Sequence, residues 1–135
     1  VVTIDYKELI TYAQQARHNA YAPYSGFKVG AALLTASGKI YSGCNIENAA
    51  FSPTICGERT AIFKAISEGE RSFKALAIVS DSEQIITPCG VCRQVLAEFF
   101  DDQVVILLAN CHGEFEQTTI SHLLPGAFTG DKYGL

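Results

Sequence analysis

Cys89-Gly90-Val91-Cys92 places two thiols three residues apart, directly after Pro88. A CxxC alone serves redox enzymes and structural zinc sites as readily as catalytic ones. Cys56-Gly57-Glu58 adds a third sulfur and a carboxylate at the start of a separate helical segment. On a helix, residues two apart point about 200° apart, so Cys56 and Glu58 cannot both reach a ligand beside it. Both can reach one at its N-terminal end. Cys89 and Cys92 share a face in the first turn of their own helix. The economical geometry therefore has two helix N-termini converging on one metal ion, their positive ends and free N–H groups favouring thiolate over thiol. Three sulfurs with no evident fourth ligand describe a tetrahedral Zn²⁺, one per subunit, with one position open to water. Structural zinc sites are closed by four ligands, whereas catalytic ones keep three.

Glu58 then has an assignable task, since a carboxylate beside activated water can take its proton and hand it to a substrate nitrogen. Three thiolates outweigh the two positive charges of the ion by one, which makes the water less acidic. Arg59, next in sequence, is placed to offset this by hydrogen-bonding the sulfurs. Plainer readings stand beside these. Cys111 or His112 could close the site as a fourth ligand, Glu58 could be an ordinary first-turn acid, and Arg59 a surface arginine. A redox pair Cys89/Cys92 would leave Cys56 and Glu58 unexplained. Phe27, Phe51 and Phe128 read by default as core or interface aromatics. Asn45 and Glu47 alternate across Ile46 and so face one side, as a solvated rim or as a binding pair. Asn48 reads as a turn residue, and Cys44 and Cys111 as small buried hydrophobes. His18, His112 and His122 have no ligand spacing. Arg93 and Gln94 stay open between helix surface and support of the site.

The elements that must carry these residues follow from periodicity. Apolar positions at Leu9, Ile10, Ala13, Ala16 and Ala20 predict a helix over 5–20,, broken by Ala22-Pro23-Tyr24-Ser25-Gly26. Strands over 27–35 and 39–46, joined by Ala36-Ser37-Gly38, predict a hairpin. A helix over 56–68 stops near Gly69, and a buried strand covers 75–80. Pro88 opens a third helix with Val91, Val95, Leu96 and Phe99 on one side. A buried strand over 104–109, a short edge strand over 115–118 and a helical turn over 119–124 complete the chain. Alternating strands and helices predict an α/β domain with a mostly parallel sheet behind the hairpin.

The chain of 135 residues fits one domain, 1–135, and 48% hydrophobic residues suffice for a core,. A net charge of −4, with no dense Lys/Arg cluster, disfavours a nucleic-acid partner,. No apolar run approaches the length of a membrane span, so no membrane partner is expected. The charged residues among the first ten are unlike a secretory signal, and a cytoplasmic location is expected. Five cysteines, an odd number without an export signal, argue for thiol or metal chemistry over disulfides,.

Cys56-Gly57-Glu58 with Pro88-Cys89-Gly90-Val91-Cys92 resembles the signature of the zinc-dependent nucleoside and nucleobase deaminases in its three-cysteine form, in which the Glu is not a ligand. More narrowly, residues 24–32 (YSGFKVGAA), Asn45-Ile46-Glu47-Asn48-Ala49 and Glu58-Arg59-Thr60-Ala61 resemble the small cytidine deaminases. The resemblance implies a three-layer α/β/α sandwich with a mixed sheet of about five strands. It also implies hydrolytic deamination of cytidine and 2′-deoxycytidine at C4 in pyrimidine salvage, with Glu58 as proton carrier. Asn45 and Glu47 would hold the ribose 3′-hydroxyl, Phe27 would pack against the nucleoside, and the Gly57 N–H would bond the base carbonyl. A homotetramer is implied, with Ala49, Phe51 and Phe128 reaching neighbouring sites. Phe51 stands where many relatives have Tyr, and Gly57 where many have Ala. Alternatives are a deaminase of another aminopyrimidine nucleoside such as blasticidin S, and a non-catalytic zinc-stabilised binding protein.

Overall fold

The computed structural model describes residues 2–135. Asp5, in extended conformation, caps α1 (Tyr6–Arg17), its carboxylate accepting from the Glu8 N–H at 3.1 Å,. β1 (Val29–Thr35) and β2 (Ile40–Cys44) form the hairpin, turning through Gly38 at φ 91°. Then come α2 (Gly57–Ser67), β3 (Phe73–Ser80), α3 (Gly90–Phe99), β4 (Val105–Ala109), β5 (Phe115–Thr118) and α4 (Ile120–Leu123).

The strands lie in the order β2-β1-β3-β4-β5. Only β3 and β4 pair in parallel; β1 is antiparallel to both β2 and β3, and β4 to β5. The expectation of a mostly parallel sheet is thus corrected to a mixed one. Its physical origin is a displaced neighbour. β2 and β3 do run the same way across the α2 crossover, as a strand–helix–strand alternation requires, but hairpin strand β1 lies between them.

α1 covers one face of the sheet and α2, α3 and α4 the other, giving the three-layer α/β/α arrangement. Leu9, Ile10 and Ala13 pack on Ala32, Leu34, Ala77 and Val79. On the opposite face Ile62 and Leu96 pack on Leu33, Leu76, Ile78 and Ile106. Strands buried on both faces carry continuous apolar runs, which is why β1 and β3 show no alternation,. In α3 the buried stripe is Cys92 and Leu96, with Val95 and Phe99 partly buried; Val91, expected on that side, is exposed.

Register brings Val29 opposite Ser80, Gly30 opposite Cys44 and Val79 opposite Ala109. The start of β1 and the ends of β2, β3 and β4 therefore share one edge of the sheet. Ligands of α/β sheets bind beyond the carboxyl ends of parallel strands, and segments 24–28, 45–56 and 81–89 all open there. α2 reaches this edge because Gly43 lacks a side chain: a Cβ there would lie 2.5 Å from the Ala61 nitrogen and 2.8 Å from the Gly57 carbonyl oxygen. Both are backbone atoms that cannot rotate away. Gly43→Ala is expected to lower unfolding stability by at least about 1–3 kcal/mol through overpacking, measured as a lower urea midpoint. An unchanged midpoint would mean that α2 does not depend on this close approach.

Candidate active site

Cys56 and Cys89 occupy the N-cap positions of α2 and α3, both in extended conformation, and neither side chain caps its own helix. Their sulfurs remain available at the two N-termini, where unpaired N–H groups and the helix dipoles favour negative charge. Cys92 follows within the first turn of α3 and is fully buried. The three Sγ atoms lie within 4.8 Å of one another, and those of Cys56 and Cys89 are 3.6 Å apart. Tetrahedral zinc with Zn–S bonds of 2.3 Å spaces its sulfurs about 3.8 Å apart, so the cluster suits that ion. Among the described residues no fourth Cys, His, Asp or Glu joins it. Cys111 and His112 sit in the link between β4 and β5, where His112 Nε2 lies 4.0 Å from Glu83 Oε1. They supply no fourth ligand. Cys44 and Cys111 are half-buried, not core residues.

The donor set also asks for a cation on electrostatic grounds. A hydrogen bond from the Cys92 thiol, helped by Arg59 and Cys89, pulls the Cys56 thiol down to about 5 against the opposing effect of burial. Cys92, as donor in that bond and in a buried position, is pushed well up. One thiolate is tolerated and the next is opposed, so three ionised sulfurs need more positive charge than the protein itself brings. Arg59 contributes part, its Nη2 lying 3.5 Å from Cys56 Sγ. It is half-buried and directed at the sulfur, unlike a surface arginine.

Glu58, in the first turn of α2, is only 4% exposed. Burial, reinforced by the Cys56 thiolate, raises its carboxyl to about 7, where a group both gives and takes protons near neutrality. An ordinary first-turn acid would face solvent. Glu58, Cys56, Cys89, Phe27, Asn45 and Glu47 line a cavity of about 300 Å³.

Asn45 and Glu47 face one side, as their alternation predicts, and both grip the segment before β1. Val29 N–H donates to Asn45 Oδ1 at 2.9 Å, and Asn45 Nδ2 donates to the Phe27 carbonyl at 2.8 Å. Glu47 Oε1 accepts from the Tyr24 and Ser25 N–H groups at 3.0 and 3.1 Å, and its Oε2 accepts from the Ser25 hydroxyl. These bonds, from Ser25 first, hold the Glu47 carboxyl below its usual range. The pair thus shapes the wall that carries Phe27, and neither residue is a solvated rim. Gly57 lies at the cavity, where a Cβ would come 3.1 Å from the Val29 carbonyl.

Phe51 lines an adjoining cavity of about 230 Å³ with Tyr24, Ser25, Glu47 and Thr54. It is 71% exposed and holds φ at 62°, a strained value for a side chain of this size,. Asn48 and Thr54 secure this turn: Asn48 N–H donates to Thr54 Oγ1 and Ala50 N–H to Asn48 Oδ1, each at 2.9 Å. Ala49 and Phe128 are exposed and line neither cavity; Phe128 stacks on Tyr133 at 4.7 Å. Ile86 and Thr87 also line the cavity. No sequence pattern marks them, since segment 81–89 contains neither helix nor strand.

Residues 3–108 match the family described as the cytidine and deoxycytidylate deaminase zinc-binding region. A cytidine deaminase of Sporosarcina psychrophila is 56% identical over 126 residues, covering 93% of each chain. That of Halalkalibacterium halodurans is 50% identical over 128 residues, covering 95% of this chain and 97% of its own. The crystal structure of cytidine deaminase from Burkholderia pseudomallei superposes with a TM-score of 0.89 at 46% identity, covering 93% of this chain and all of that one.

The arginine–sulfur contact predicts a titration. In protein stripped of metal by a chelator, Arg59→Gln is expected to move thiolate ionisation, followed by ultraviolet absorbance, to higher pH. A cation beside a thiolate lowers its pKa, and removing the cation raises it. An unchanged titration would show that the 3.5 Å contact carries no charge stabilisation.

Proposed function

Because the chain belongs to the cytidine and deoxycytidylate deaminase zinc-binding family, we propose a specific division of labour in an enzyme that deaminates cytidine and 2′-deoxycytidine hydrolytically, releasing ammonia. The observation that carries it is a buried carboxylate, Glu58, beside three clustered sulfurs that have no fourth protein ligand. Cys56, Cys89 and Cys92 hold one zinc ion per subunit. Bound there, zinc supplies Lewis acidity that makes water nucleophilic near neutral pH. Glu58 takes a proton from the attacking water, delivers it to N3 of the ring and later carries one to the departing amine. A carboxyl raised towards neutrality suits both directions of transfer,. Arg59 balances thiolate charge.

The Gly57 N–H, unpaired at a helix start, bonds the base carbonyl. Phe27 packs against the nucleoside, and Asn45 and Glu47 hold the ribose 3′-hydroxyl while fixing the wall beneath it. Neither cavity is lined by Lys or Arg, and Glu47 presents a carboxylate to both. That charge arrangement favours a neutral nucleoside over its 5′-phosphate. Exposed Ala49, strained and exposed Phe51 and exposed Phe128 support a homotetramer in which they complete neighbouring sites, since strained backbone clusters at functional sites and the exposed aromatics are free to meet another subunit. Thiols that must stay reduced to bind metal favour the cytoplasm, and the reaction belongs to pyrimidine salvage. Among the described residues no helix is long and apolar enough to cross a membrane.

Glu58→Gln is expected to retain zinc and the fold while turnover falls at least roughly 10²–10⁴-fold, read from loss of the cytidine absorbance band. Near-normal turnover would refute the proton-carrying assignment. In the same assay cytidine and deoxycytidine are turned over and deoxycytidine 5′-phosphate and blasticidin S are not; preference for either of the latter two would overturn the substrate reading.

A further inference from the structure

Segment 81–89 carries a metal ligand and part of the cavity wall, yet has no regular secondary structure. Ile85 packs against the core and Pro88 is buried, and hydrogen bonds tether the rest of the segment. At its start Asn110 Nδ2 donates to the Glu83 carbonyl at 2.9 Å. Among the described residues, hydrogen bonds to residues 85–88 come from one side chain, Arg93. Its Nε donates to the Pro88 carbonyl at 2.8 Å, and its Nη2 to Thr87 Oγ1 at 2.8 Å. The remaining nitrogen, Nη1, donates to the Leu123 carbonyl at 2.6 Å, at the end of α4. Pro88 is buried and, lacking an N–H, can hydrogen-bond only through its carbonyl,. The neighbouring Gln94 donates to the Phe128 carbonyl at 2.9 Å.

We propose that Arg93 is a positioning residue for the metal site. Its guanidinium fixes the approach of Cys89 to Cys56 and Cys92, sets the Thr87 wall, and ties both to the end of α4. All three nitrogens meet different acceptors, a planar fork that a lysine cannot reproduce. Half-burial strengthens each bond, and the arginine sits one residue after Cys92, so the same helical turn carries a ligand and the clamp on another. The proposal rests on the reading of the three cysteines as a zinc site.

The test uses the zinc-loaded enzyme and follows transfer of zinc to a chromophoric chelator, in parallel with KM, kcat and the urea midpoint. Arg93→Gln is expected to release zinc ~10–100-fold faster, the effect usual for groups that orient metal ligands. It also lowers kcat and raises KM, since Thr87 lines the cavity. Arg93→Lys recovers charge but not the fork, and its zinc release falls between the two. Arg71→Gln is the control: Arg71 binds the Ile66 and Glu70 carbonyls away from the site, and its loss leaves zinc transfer unchanged. A purely structural arginine would lower the urea midpoint without altering zinc transfer in the folded protein, and that result overturns the proposal. Should Arg93→Gln not fold, Arg93→Lys decides: native-like release overturns the proposal, and accelerated release supports it. Zinc bound by the native protein without turnover on cytidine would count against the proposed function alone, because transfer is read without catalysis.

Discussion

Three thiols gathered into a few ångströms cannot all ionise without a cation among them, and most of the local structure follows from that constraint. Two sulfurs sit at helix N-termini, where unpaired N–H groups and dipoles lower the cost of negative charge. The third is buried within the first turn of α3 and depends on its neighbours. Arg59 adds a positive charge at 3.5 Å from Cys56. The remaining charge deficit is what a divalent ion fills. A closed four-sulfur site would carry one more negative charge and would leave Glu58 without a reason to be buried beside it.

Holding the two helix starts together is the task of the sheet. β1 enters between β2 and β3, so α2 and α3 both begin above the same sheet edge. Gly43 lets α2 come down onto β2 until backbone nearly touches backbone. At the facing wall Asn45 and Glu47, from the end of β2, grip the segment that carries Phe27. The cavity is lined by Cys56, Cys89 and Glu58 together with the Asn45 amide and the Glu47 carboxylate. Helix starts thus supply the reacting groups, while segments 24–28 and 81–88 supply shape.

The cysteine cluster was the most legible part of the chain, because CxxC spacing and a Cys at a second helix start place the sulfurs at two N-termini, which the sheet then brings together. The elements were legible too, since α1 has an apolar stripe at steps of three and four and β1 and β3 carry apolar runs. What sequence spacing could not convey was neighbourhood. Strand alternation correctly implied that β2 and β3 run alike, but not that β1 lies between them, because pairing is decided by packing across the whole sheet. Val91 misled for a similar reason: apolar spacing marks a stripe but not its exact centre, and buried Cys92 occupies that centre. Arg93 stayed undecided and Ser25's contact was illegible, because their partners Leu123 and Glu47 lie 30 and 22 residues away in sequence; Thr87 lies in a segment without periodicity to mark it.

The central claim is that three sulfurs, and no more, hold zinc and leave one position for water. X-ray absorption at the zinc edge of the loaded protein measures this directly. Three sulfur neighbours at about 2.3 Å and a single oxygen neighbour near 2 Å are predicted. Four sulfurs, or a histidine nitrogen in the fourth position, would close the site and contradict the account.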